Sequence, residues 1–160
     1  MPNWVYNKIT VSGDEQRVTQ FRNQARRGTP FDEGVAPEFA FWNFIRPDDS
    51  ILHEYRGAEN LPFSDVSPNS WYEWNTRNWG TKWDACSVSV ENGHNFMDIF
   101  FETAWAAPMP VFEEIVRQYP DLDFQIFWEE EQGFGEEWHT VDGQLVKINE
   151  WSESMADTIL

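Results

Sequence analysis

Hydrophobic and polar positions alternate from the start of the chain. In Trp4-Val5-Tyr6-Asn7-Lys8-Ile9-Thr10-Val11, β-branched and aromatic residues dominate and Val5, Ile9 and Val11 share one face, so a strand is predicted that Ser12-Gly13 ends. Ser12 or Asp14 then caps a helix with acids in its first turn, and Val18, Phe21 and Ala25 recur at helical spacing. Arg22, Arg26 and Arg27 lie near its carboxyl end, where cations suit the helix dipole, and Gly28-Thr29-Pro30 stops it. The run Phe39-Ala40-Phe41-Trp42-Asn43-Phe44-Ile45 predicts an aromatic-rich strand ended by Pro47. Residues 48–70 are polar and rich in turn formers, an excursion with one helical turn. Trp71, Trp74 and Asn78 stand at i, i+3 and i+7, which suits a short helix ending at Gly80.

The second half reads as a hairpin, a helix and further strands. Cys86-Ser87-Val88-Ser89-Val90 alternates, Asn92-Gly93 is a favoured tight-turn pair, and Met97, Ile99 and Phe101 share one face of the return strand. Pro108 and Pro110 open a helix whose apolar stripe is Val111, Phe112, Ile115, Val116 and Tyr119, and Pro120 closes it. Phe124, Ile126 and Trp128 alternate in the next strand, and a last hairpin turns at Asp142-Gly143 between Trp138–Val141 and Leu145–Ile148. Ser152 to Leu160 reads as a frayed acidic tail. The expected class is α+β, a ferredoxin-like split βαβ sandwich formed by one domain over residues 1–160. A Trp-rich insertion at about 48–84 interrupts it, and a β-hairpin extension at about 130–160 follows.

Composition supports a core, since aromatic residues make up 17% of the 160 and each large ring buries much surface. Cys86 is the single cysteine, so no internal disulfide forms and a small buried hydrophobe in a reducing compartment is expected. No apolar run is long enough to span a membrane, and the first residues do not read as a signal peptide; the expected location is the cytoplasm of a bacterial host. Charge is lopsided. Residues 1–84 hold 12 acids against 9 bases, whereas residues 85–160 hold 16 acids against Arg117 and Lys147 alone, a net of −14 within a total of −17. Phosphate binding needs clustered Lys and Arg, so direct nucleic-acid binding and anionic membranes are disfavoured, and basic partners or simple solubility are favoured.

Two groups of residues invite a functional reading. Trp71, Trp74, Asn78, Trp79, Gly80, Thr81, Lys82, Trp83 and Asp84 place four Trp within 13 residues, a density typical of a core with Lys82 paired to a carboxylate. As a surface, the same segment would be a stacking platform, and a Lys82–Asp84 pair beside Asn78 would suggest acid–base work. Asp121, Asp123, Glu129, Glu130, Glu131, Glu136 and Glu137 make a carboxylate cluster that reads as a partner-binding acidic face. As a metal site the cluster is a poor match, because strand neighbours point to opposite faces and Gly133-Phe134-Gly135 implies a turn. His53, His94 and His139 are scattered, and the chain has no HExxH, CxxC, calcium-loop, phosphate-loop or GxSxG pattern. No catalytic residue, metal or cofactor is assigned.

Several stretches together carry a resemblance. They are MPNWVYNKITVSG at the start, Ile45-Arg46-Pro47, Trp71-Tyr72-Glu73-Trp74, and Asn78-Trp79-Gly80-Thr81-Lys82-Trp83-Asp84-Ala85. Phe101-Glu102-Thr103-Ala104-Trp105 with Pro108 and Pro110, then Glu131-Gln132-Gly133-Phe134-Gly135, follow in order. In these the chain resembles the Api-like or YubP-like group of phages and plasmids, which implies a ferredoxin-like fold and a mobile-element origin but no established activity or catalytic residues. Two functions of different classes follow. The first is a non-enzymatic acidic inhibitor that mimics nucleic acid on a basic, nucleic-acid-binding surface of a host defence complex such as CRISPR-Cas. The second is a small module in which the Trp-rich segment holds a peptide, nucleotide or single strand.

Overall fold

Alternation in β1 (Trp4–Ser12) sorts its side chains onto two faces, with Val5, Asn7, Ile9 and Val11 buried and Tyr6, Lys8 and Thr10 on the other side. The computed structural model describes residues 2–57 and 70–152. β1 is flanked on both sides: β3 (Phe96–Ala104) and β4 (Asp123–Glu130) pair with it antiparallel. With β2 (Cys86–Asn92), β5 (Gly135–Val141) and β6 (Gln144–Trp151) they form one six-stranded antiparallel sheet in the order β2-β3-β1-β4-β5-β6.

Two helices supply the second layer. In α1 (Glu15–Ala25) the Asp14 carboxylate accepts the Arg17 backbone N–H at 3.2 Å, and Val18, Phe21 and Ala25 are buried. α4 (Met109–Gln118) buries Val111, Phe112, Ile115 and Val116, with Pro110 in the first turn, where a missing N–H costs no bond. Their stripes join Ile9, Val11, Met97, Ile99, Phe124 and Ile126 in one core. Phe21 lies at its centre, 5.3 Å from the Tyr119 ring and 5.8 Å from Phe124. The units β1-α1-β2 and β3-α4-β4 are split βαβ units, each straddling a strand of the other, which is the ferredoxin-like arrangement. β5 and β6 extend the sheet beyond β4 through a turn with Asp142 at φ 51° and Gly143 at φ 79°, the paired positive values of a type I′ hairpin.

Residues 39–45 do not form the expected strand. Phe39 to Phe44 are all buried, so they have no solvent face to alternate with, and Phe41–Asn43 is instead a tight 3-10 turn. The turn fans successive rings in different directions, and the strand that completes the first βαβ unit is β2. The β2–β3 turn also differs: Asn92 pairs with Met97, and the Gly93 N–H donates to the Phe96 carbonyl at 2.9 Å, so His94-Asn95 is the tip. Gly93 is required for space, because a Cβ there would lie 2.0 Å from the Phe96 ring. The helical turn expected within 48–70 is α2 (Leu52–Gly57), and α3 (Trp71–Asn78) matches the Trp spacing. The remainder of that excursion and the acidic tail beyond Ser152 lie outside the described residues.

Trp79 is 2% exposed, and its indole Nε1 donates to the Ile45 carbonyl at 2.9 Å. Trp79→Ala is therefore expected to lower stability by about 3–5 kcal/mol. Trp83, 38% exposed, should cost far less when truncated. Thermal melts of the two variants check the contrast, and equal losses would contradict this placement.

Candidate functional site

Most of the Trp-rich motif is framework. Trp74 and Trp79 are buried edge to face, 5.3 Å apart. Asn78 donates to the Trp74 carbonyl, and Thr81 donates to the Ala104 carbonyl at 2.8 Å. Gly80 has φ 79°, and a Cβ there would lie 2.9 Å from Pro110 Cδ. Lys82 is seated over rings, 4.7 Å from Trp83 and 5.7 Å from Tyr72, rather than against the carboxylate anticipated for it. Trp71 is half-buried, and Trp83 stacks on Trp4 at 6.3 Å with its outer side exposed. Asn75, not singled out in the sequence, is buried and holds two elements together: its amide donates to the Lys82 carbonyl at 2.8 Å and accepts from Tyr55 at 2.8 Å. A helical position facing the core with a polar side chain was the only signal for it.

Asp84 is strongly perturbed. Its carboxylate accepts from the backbone N–H groups of Phe41 (2.6 Å), Ala85 (2.7 Å) and Trp42 (3.1 Å). Burial outweighs these donors and pushes its carboxyl up to about 6, with Asp32 adding repulsion. Acid–base work with Lys82 does not fit, because Asp84 faces the backbone while Lys82 lies on the rings. A cavity of about 480 Å³ opens beside it, walled by Phe31, Trp42, Tyr55, Trp71, Trp79 and Trp83. Three carboxyl and amide groups of that wall are already engaged, since Asp32 takes the Thr29 N–H and hydroxyl and Asn75 and Asp84 hold the bonds above, while the Arg56 guanidinium lies over the Phe31 ring at 5.6 Å. Cys86 is half-buried beside Asp84, and burial first, then the Asp84 and Glu102 charges, push its thiol up.

The carboxylate cluster does not form one face. Glu130 is 2% exposed on the helix side of β4, where it accepts the Gln132 N–H at 3.1 Å and shapes the β4–β5 turn, so it cannot meet a partner. Glu136 is also on the helix side, accepting from the Trp128 and Trp138 indoles at 3.1 and 3.0 Å. Asp121 is exposed but committed to Arg17 through bonds of 2.7 and 2.8 Å, which hold its carboxyl below the usual range. Glu131 is exposed in the turn after β4. Side-chain parity explains the split, because strand neighbours alternate between faces. Only Asp123, Glu129 and Glu137 reach the open face.

That open face carries residues the sequence reading missed. The register places Glu102, Tyr6 and Glu129 side by side across β3, β1 and β4. The next row is Phe100, Lys8, Phe127 and Glu137, and the row beyond is Glu91, Asp98, Thr10, Gln125 and His139. Glu91, Asp98 and Glu102 join the three acids above, against Lys8 alone among the strand cations of this side. The alternation of Asp98 and Glu102 with Met97, Ile99 and Phe101 was the available signal. Among the described residues no group of three or more His, Cys, Asp or Glu is placed to hold a metal ion, and no helix is long and apolar enough to cross a membrane.

A pH dependence follows from Asp84. Its folded-state carboxyl, about 6, lies above its ordinary value of 3.8, so the folded protein holds the proton more tightly. The corresponding stability is present below about pH 4 and is lost as pH rises through about 6. Relative to Asp84→Asn, wild type should lose about 2–3 kcal/mol across that window. Denaturant melts of both proteins at several pH values check this; a difference that stays constant with pH would contradict it.

No curated protein sequence matches this chain. The crystal structure of a protein api92 from Yersinia pseudotuberculosis is similar with a TM-score of 0.63, covering 95% of this chain and 99% of that one at 8% identity. At that identity the likeness concerns the fold, and it agrees with the split βαβ topology. A family model described as the ferredoxin-like domain in Api92-like protein matches residues 78–159, from the end of α3 through β6. With half of its length matched, this chain belongs to the family of Api92-like proteins that carry that ferredoxin-like domain.

Proposed function

We propose that this protein is a non-enzymatic binding module that engages a basic, nucleic-acid-binding surface of a partner protein. One observation carries the reading: the side of the sheet away from the helices sets, among the described residues, six strand carboxylates against Lys8. Carboxylates there stand where phosphates would lie on a nucleic acid, and a net charge of −17 steers cationic partners from a distance. The commitment of Asp84 to backbone donors supports a structural role for the buried carboxylate. In a phage- or plasmid-borne protein of a bacterial host, such mimicry would inhibit a defence complex such as CRISPR-Cas in the cytoplasm. A second reading, a module for a peptide, nucleotide or single strand, is favoured by the aromatic cavity, whose volume suits a small ligand.

Affinity capture from bacterial lysate at low and high salt tests the first reading. The expected catch is a basic nucleic-acid-binding protein that is released by salt and displaced by duplex DNA. Reversal of Glu91, Asp123 and Glu137 to Lys should slow association about tenfold while leaving the melting temperature nearly unchanged, because exposed charges set encounter rates more than stability. Capture indifferent to salt, to DNA and to these reversals would overturn the proposal.

A further inference from the structure

We propose that Tyr6, Glu102 and Glu129 form an arginine clamp, and that the occupant of the open sheet face is an arginine-rich segment of a partner protein. The inference rests on the basic-partner reading above and adds the site and the preferred cation. Tyr6 is 46% exposed on a central strand of the sheet, so its ring is open to a partner. Glu102 and Glu129 occupy the directly paired positions on either side of it. Such cross-strand neighbours have Cβ atoms about 4.5–5.5 Å apart, so a cation resting on the ring meets a carboxylate on each flank. The Glu102 carboxylate has no hydrogen-bond or ion-pair partner among the described residues. Glu129 is held in place by the Trp151 indole, which donates to one oxygen at 2.9 Å and leaves the other available.

The neighbouring row shows that this face accepts a cation on a ring. Lys8 lies between Phe100 and Phe127 in register, with its ammonium 5.4 Å from the Phe100 centroid. Phe127, 39% exposed, is packed against Trp151 at 5.3 Å. Trp151 reaches it across Gly135, where a Cβ would lie 2.8 Å from the indole. Aromatic rings thus stand on β1, β3, β4 and β6 on the same face of the sheet, with Phe127 and Trp151 packed together. A guanidinium fits better than an ammonium, because it is planar, stacks on an aromatic face and offers a fork of donors to two carboxylates at once. Bases could stack on the same rings, but their phosphates would meet Asp98, Glu102, Glu129 and Glu137 with only Lys8 to offset them.

The full chain, isotopically labelled, is titrated with nona-arginine, nona-lysine and an oligothymidine while backbone resonances are followed. Nona-arginine should bind at least about fivefold more tightly than nona-lysine, with shifts centred on Tyr6, Phe100 and Phe127. Tyr6→Ala should remove that preference without changing nona-lysine binding, Tyr6→Phe should retain it, and Glu102→Gln with Glu129→Gln should weaken both peptides. Equal binding of the two peptides, unaffected by Tyr6→Ala, would overturn the clamp while leaving the basic-partner reading intact. Shifts confined to the helical layer, or no binding of nona-arginine, would also overturn it. Oligothymidine binding tighter than nona-arginine would overturn both the clamp and the basic-partner reading.

Discussion

The Asp84 carboxylate, held by the N–H groups of Phe41, Trp42 and Ala85, ties the long connection between α1 and β2 to the start of the sheet. The connection needs it. Phe39 to Phe44 are buried in succession, and a buried stretch outside the sheet must find partners for its backbone donors. Once those donors are satisfied, Phe39 and Phe41 pack on Phe101 of β3 at 5.3 and 5.5 Å, and Trp79 meets Phe41 at 5.7 Å. Asn43 completes the tie by donating to the Ala25 carbonyl at 2.8 Å, at the end of α1. Helix, turn and Trp-rich segment therefore close on one another through a few polar bonds set in an aromatic core. The elevated carboxyl of Asp84 is the electrostatic cost of placing an acceptor there.

The same sheet divides the chain's surplus negative charge into two uses. On the helix side, Glu136 serves the indoles of Trp128 and Trp138, and Glu130 serves a turn N–H; both are internal acceptors. On the open side, carboxylates alternate with rings. Among the aromatic residues there, Phe127 and Trp151 pack together in the space that Gly135 leaves, so this pair has little side-chain freedom to lose on binding. An acidic field that attracts from a distance and a fixed aromatic floor that selects at contact are compatible on one surface.

Elements with local periodicity were legible in the chain: α1 and α4 from their apolar stripes, β1, β3 and β4 from alternation, and the last hairpin from Asp142-Gly143. In each the pattern, the cap or the turn pair lies within a few residues of what it specifies, so composition over a short window is sufficient. Whether Trp74 and Trp79 would be core or binding surface stayed open in the sequence, and the structure buries both. The 3-10 turn at Phe41 did not, because its acceptor stands more than 40 residues away at Asp84 and the same rings are compatible with a strand. Glu129-Glu130-Glu131 looked like one patch in the sequence, yet the pleat sends Glu129 outward and Glu130 into the interior. The clamp around Tyr6 draws on three strands far apart in the chain, and only antiparallel register brings Glu102 and Glu129 to its sides. Sequence by itself thus determined the elements with local periodicity and the sign of the charge, since these depend on near neighbours and on composition. Which carboxylates became acceptors in the core and which became surface was decided by tertiary structure, since strand pairing alone sets who stands beside whom.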